Sequence, residues 1–170
     1  RVNGIKYFLA DLESISIVSP ESEKWMWNYL KPRQGDVFLD VGAHIGKYVL
    51  QVAKIVGENG LVIAIEASSI NYNVLLKNIK LNNVLKELNI NRVDWIKIDV
   101  EGAEYEVLKG LKNAIQQYKP TIIIEVFKEN MKKVINFIRK VNYAFKLISL
   151  EEPFYIYCKS IKEYESITGT

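Results

Sequence analysis

Only one cysteine, Cys158, occurs in the 170 residues, so no disulfide closes within the chain, a composition that fits a reducing compartment. No apolar run approaches the roughly 20 residues that span a bilayer. The opening Arg1-Val2-Asn3-Gly4 is unlike a signal peptide, so a cytoplasmic location with no membrane partner is expected. That opening also lacks Met, as a piece of a longer chain would. Neither charge sign dominates: 23 basic against 20 acidic residues leave +3, too little by itself to imply a nucleic-acid partner. Internal repeats, low-complexity tracts and linkers are missing too. What remains is globular composition, 49% apolar and 25% charged, long enough to bury one full core.

Hydrophobic periodicity supplies the elements. Short strand-like runs at 5–9 and 15–18 suggest a hairpin or lead-in. Ser19-Pro20-Glu21 has the form of a helix start, with a cap, a first-position proline and early acids, and predicts a helix to about Leu30. Strands and helices then alternate: strands at 37–41, 61–65, 95–100 and 121–127, and helices at 47–56, 70–81, 104–118 and 129–141. The last of these helices has an apolar stripe of Met131, Val134, Ile135 and Ile138. Two further strands, at 145–150 and 154–158 around Pro153, read as an antiparallel pair. The expectation is one α/β domain over 1–170, with a lead-in at 1–34 and a Rossmann-like core at 35–170, a mainly parallel sheet closed by a C-terminal antiparallel hairpin.

In such sheets ligands bind at the carboxyl ends of strands, which directs attention to the residues ending each strand. The first strand ends in Asp40-Val41-Gly42-Ala43-His44-Ile45-Gly46. Its glycines let the backbone turn tightly and approach a ligand, and the helix after it offers free N–H groups to negative charge. The spacing is G-x-x-x-G and not the G-x-G-x-x-G of dinucleotide sites. Taken alone, the loop also fits a turn with packing duties only. Glu66 ends the second strand, where an acid accepts hydrogen bonds from ribose hydroxyls or is simply an exposed charge. Asp99 and Glu101 end the third. Glu104 and Glu106 sit in a first helical turn, where acids favour the helix dipole. Glu125 interrupts a buried run, so its carboxyl must be paired or face a cavity.

Together these strings resemble the FkbM family of class I methyltransferases. The likeness runs through Phe38-Leu39-Asp40-Val41-Gly42-Ala43-His44-Ile45-Gly46, Ile63-Ala64-Ile65-Glu66, Asn71-Tyr72-Asn73, Leu75-Leu76-Lys77-Asn78-Ile79, Asp94-Trp95-Ile96-Lys97-Ile98-Asp99-Val100-Glu101-Gly102-Ala103-Glu104 and Pro120-Thr121-Ile122-Ile123-Ile124-Glu125, over roughly 25–128. It implies S-adenosylmethionine as cofactor and methyl transfer, often to a hydroxyl oxygen of a small molecule or glycan. It also implies that Asp40, Gly42, Ala43, His44 and Gly46 line the methionine end of the cofactor. By the same likeness Glu66 holds the ribose, and Asp99 and Glu101 face the cofactor and substrate cleft.

Two features depart from the family. His44 stands where Asn is usual; it is a candidate base, since imidazole titrates near neutrality, or a residue that tolerates the turn, and the second reading is preferred. The 33 residues from Glu66 to Asp99 hold one crossover where the family has two, which suggests residues omitted around 83–91. A hydroxyl acceptor benefits from a base, for which Asp99 and Glu101 are the candidates; a divalent cation on Asp99, Glu101 and Glu125 is the less favoured alternative, and no metal ligand is assigned. The Asn-Pro-Pro-aromatic string of many amino-methyltransferases is absent. Cys158, Trp25, Trp27 and Tyr29 are expected to be packing residues, and Lys128, Lys132, Lys133, Arg139 and Lys140 a solvated helix face. The rival readings are an RNA methyltransferase, requiring a basic rim, and a degenerate non-enzymatic module. Oligomeric state is not legible.

Overall fold

A computed structural model describes residues 2–81, 90–149 and 152–168. The chain divides into two compact units, 1–90 and 91–170.

In the first unit, β1 (Val37–Val41) is buried along its whole length, as its apolar run with one Asp predicts. It pairs in parallel with β2 (Leu61–Ile65), from Val37 opposite Leu61 to Val41 opposite Ile65. β2 is only half-buried, with Ile65 48% exposed, where the sequence predicts a buried strand. α2 (Lys47–Val56) packs Val49 against Ala43 and against Leu75 of α3 (Ser69–Leu81), with Val62, Ala64 and Ile79 around them.

The lead-in differs from expectation. Residues 5–9 form no strand, only the isolated Val2–Ile5 bridge, and 13–18 form a helix, α1 (Glu13–Val18). The Asp11 carboxylate accepts the Ser14 amide at 2.8 Å and its hydroxyl at 2.9 Å, a local bond that starts a helical turn and outweighs the strand-like Ile-Ser-Ile alternation. The helix predicted from Ser19 shrinks to a 3-10 turn over Lys24–Asn28. Lys47, 4% exposed, needs buried acceptors, and finds Ser22 O and Glu23 Oε2, both at 2.8 Å. Glu23 also accepts the Tyr48 hydroxyl, and its backbone takes φ 51°, which no continuous helix allows. Trp27 packs on the Tyr48 ring, 5.7 Å between centroids, in the packing role expected of it.

In the second unit, β3 (Trp95–Ile98) pairs in parallel with β4 (Thr121–Val126), Trp95 opposite Thr121. β4 pairs antiparallel with β6 (Phe154–Ser160), and β6 antiparallel with β5 (Tyr143–Leu147), giving the predicted C-terminal hairpin with shifted bounds. The helix predicted over 104–118 is two, α4 (Glu104–Gly110) and α5 (Lys112–Tyr118), broken at Leu111 after the helix-weakening Gly110. α6 (Lys128–Lys140) buries Val134 and Ile138 from the predicted stripe, and Phe137 beside them. α7 (Ile161–Thr168) has no counterpart in the sequence reading. The expected omission around 83–91 falls largely on 82–89, outside the described residues. No helix among the described residues is long and apolar enough to cross a membrane.

Candidate functional site

β1 carries Asp40, 1% exposed, to the start of the glycine loop. The loop then folds over the end of β2: the amides of Gly42 and Ala43 both donate to Ile65 O, at 2.9 and 3.0 Å. Gly42 sits at φ 84° and His44 at φ 49°, backbone shapes that aim successive N–H groups to one side. One of these, His44 N–H, donates to Glu66 Oε2 at 2.7 Å, and Ser68 N–H donates to Glu66 Oε1 at 2.8 Å. Glu66 is therefore a strut between strand end and glycine loop, not an exposed strand-end charge.

Gly46 begins α2 at φ 95°, a backbone shape that favours glycine, and a Cβ there would lie 2.8 Å from Leu75 Cδ1 of α3. No side chain caps this helix start, which leaves its first amides to other acceptors. Asn78 of α3, fully buried, donates to Ile45 O at 2.8 Å and to Phe8 O at 3.1 Å, and accepts Phe8 N–H at 2.6 Å. Its sequence signal was a family-like string, with nothing to show that it ties the loop to the lead-in. His44 Nδ1 is buried with no hydrogen-bond partner among the described residues. An uncapped helix start, an acidic strut and an unsatisfied imidazole nitrogen fit a ligand bearing both a carboxylate and hydroxyl groups.

In the second unit, parallel register puts Ile98 opposite Ile124, so Asp99, the next residue, lies beside Glu125, and Glu125 is the antiparallel partner of Tyr155. The Lys97 ammonium, 4% exposed, donates to Asp99 Oδ2 at 3.1 Å. The Tyr155 hydroxyl donates to Glu125 Oε2 at 2.8 Å. Burial first, then the Asp99 charge and a hydrogen bond to Asp99, push the Glu125 carboxyl up to about 8. The sequence flagged Glu125 as needing a partner and did not single out Lys97.

Because the folded state holds this proton more tightly than the unfolded chain, the contribution is complete below the ordinary value of 4.5 and is lost as pH rises towards about 8. Urea unfolding of the native protein is expected to show stability falling between pH 5 and 8 more steeply than in Glu125→Gln; equal slopes would contradict the burial of an ionisable proton here.

Glu101 occupies the turn beyond β3 at φ 46°, exposed, and the structure does not join it to the Asp99 cluster. Glu104 proves more than a dipole residue. It is fully buried, and its Oε1 accepts Gly102 N–H while Oε2 accepts the Asn130 amide, both at 2.6 Å. Asn130 also donates to Gly102 O at 2.7 Å. The two side chains hold the acid turn from inside, with Gly102 at φ 106°. Among the described residues no group of three or more His, Cys, Asp or Glu side chains is arranged to hold a metal ion. Cys158 is fully buried, and burial pushes its thiol up, so it is inert packing.

Solved structures match this architecture. An S-adenosylmethionine-dependent methyltransferase from Aquifex aeolicus is 19% identical, with 88% of this chain and 93% of that chain covered at TM-score 0.59. Fibrillarin from Aeropyrum pernix, with natively bound S-adenosyl-L-methionine, is 15% identical over 94% and 84%, at TM-score 0.64. Methyltransferase FkbM from Methylobacillus flagellatus KT is 18% identical over 77% of this chain and 45% of that one, at TM-score 0.61. These likenesses define the fold as that of class I S-adenosylmethionine-dependent methyltransferases. Residues 77–145 match the family described as the Methyltransferase FkbM domain. The matched range takes in the acid turn and β4 and begins beyond the glycine loop. No curated protein matches the sequence.

Proposed function

We propose that this protein methylates a hydroxyl oxygen on a small molecule or glycan. The observation that carries the cofactor side is the bond from His44 N–H to Glu66, which makes glycine loop and strand-end acid one preformed unit. Asp40, Gly42, Ala43, His44 and Gly46 take the amino-acid end of S-adenosylmethionine, its carboxylate against the open amides at the start of α2. Each Glu66 oxygen accepts one backbone N–H and keeps a second lone pair, which suits the vicinal hydroxyls of a ribose. The cofactor, when bound, supplies a methyl group made electrophilic by a sulfonium.

What the protein must add is in-line placement and an exit for the acceptor's proton. Asp99 is the group assigned that proton, with Glu101 on the same turn lining the acceptor side. A small acceptor is preferred to RNA because 23 basic against 20 acidic residues leave only +3, and two of the α6 cations rest on aromatic rings, Lys133 Nζ 6.0 Å from the Tyr105 ring centre and the Arg139 guanidinium 5.7 Å from that of Phe145.

Calorimetric titration tests the reading. Micromolar binding of S-adenosylmethionine and S-adenosylhomocysteine, with none of NAD, is the expected result, since the glycine spacing is not that of a dinucleotide loop. Failure of both sulfur compounds to bind folded protein would leave a non-enzymatic α/β module as the better account.

A further inference from the structure

Three adjacent strands set Asp99, Glu125 and Tyr155 in one row, and Lys97 flanks it two residues before Asp99 on the same strand face. The row is graded in exposure. The Asp99 side chain is 29% exposed, Glu125 and Tyr155 are each 9% exposed, and the Lys97 side chain is 4% exposed. Two carboxyls in contact cannot both stay ionised cheaply at the edge of a core, and one ammonium neutralises only one of them. The second is satisfied by retaining a proton. Which carboxyl retains it follows from the neighbours. Lys97 bonds Asp99 at 3.1 Å and so favours its ionised form, whereas Glu125 is more deeply buried and accepts the neutral Tyr155 hydroxyl.

We propose that Asp99 and Glu125 form a proton-sharing pair in which Glu125 is a positioning residue, its O–H donating to Asp99 and fixing that carboxylate as the base for the acceptor hydroxyl. This rests on the methyltransferase reading above. During transfer the acceptor's O–H bond breaks and its proton passes to Asp99. The acceptor oxygen forms the new bond to the methyl carbon as the S–C bond breaks, and that electron pair returns to sulfur. The hydrogen bond from Glu125 lowers the basicity of Asp99 in the resting state and holds its orientation, while Lys97 keeps the charge of the group balanced. Among the described residues, Lys97 of β3, Asp99 just beyond it and Tyr155 of β6 are the charged and titratable groups that face Glu125. The same arrangement disfavours a divalent cation, which would have to displace an ammonium and a shared proton from the oxygens it needs.

The test is a carbon-13 NMR titration of the full chain, labelled at the side-chain carboxyl carbons of Asp and Glu, from pH 4 to 10. Asp99→Asn and Glu125→Gln assign the two signals. Glu125 is expected to titrate near 8, and the Asp99 signal to show a second inflection at the same pH. Glu125→Gln, which keeps a neutral donor, should abolish that inflection. Tyr155→Phe should move the Glu125 midpoint upwards, because the hydroxyl favours the ionised form, and it carries the test if the Gln variant does not fold. Titration of Glu125 in the ordinary carboxylate range, an Asp99 signal blind to it, or selective broadening of both signals by Mn²⁺ would overturn the proposal. Calorimetry on the same sample separates the two readings: cofactor binding with an ordinary Glu125 removes the pair alone, whereas a shared proton without cofactor binding removes the catalytic reading.

Discussion

Glu66→Ala is expected to weaken S-adenosylmethionine binding about 100-fold, measured by calorimetry. The carboxylate accepts two backbone amides, from His44 and Ser68, and in the proposed complex also the ribose hydroxyls. Hydrogen bonds to a charged group contribute roughly 1.5–3 kcal/mol each, and tenfold in affinity is about 1.4 kcal/mol. Glu66 is half-buried, so water replaces part of what the alanine removes. Loss of one full bond and a fraction of the others leaves about 2.7 kcal/mol, which is the 100-fold stated. Glu66→Gln keeps one oxygen but presents an NH₂ group to a second donor, and a loss of about tenfold is expected. A change of less than threefold in the alanine variant would show that the strut is irrelevant to the cofactor.

Gly46→Val is expected to destabilise the fold strongly. Two independent penalties meet at this residue. Its φ of 95° lies where L side chains are strained by about 1–2 kcal/mol, and more for a β-branched one. A Cβ would also stand 2.8 Å from Leu75 Cδ1, and overpacking of that kind costs roughly 1–3 kcal/mol. A total of about 4 kcal/mol lowers Tm by about 12 °C in a chain of this size. Gly35→Ala serves as the comparison: φ is 85°, but no atom lies within 4 Å of the added Cβ. It should lose only the backbone share, about 1 kcal/mol or ~3 °C. Equal losses in a thermal melt of the two variants would mean that α3 does not press on the loop.

The bounds of β1, β2 and α2 were legible because each rests on a local rule: a continuous apolar run, a strand entered through Asn59-Gly60, a helix closed by Gly57. So was Glu66 as a strand-end acid, though not its bond to the His44 amide, which joins residues 22 apart. The errors arise where distant partners decide. The 19–30 helix was lost to the acceptor needs of Lys47, whose burial no residue near Ser19 announces. Glu104 carried every mark of a dipole residue, and only Asn130 on another helix reveals its hold on the acid turn. Lys97 left a readable trace: a lysine inside Ile-Lys-Ile, two residues before an acid, on a strand whose other residues are all apolar. A buried ammonium there needed a carboxylate on its own face, and Asp99 was the nearest.

Asn78 gives the glycine loop a property that its composition would not suggest. Its one amide group grips the loop at Ile45 and the lead-in at Phe8 through three hydrogen bonds. Motion of the loop is thereby splinted to chain nearly forty residues upstream, and the two are no longer independent degrees of freedom. A glycine-rich loop left to itself would lose much entropy on closing round a ligand. Here those bonds order the loop in the folded chain, and in the proposed complex the cofactor would meet a cradle already set.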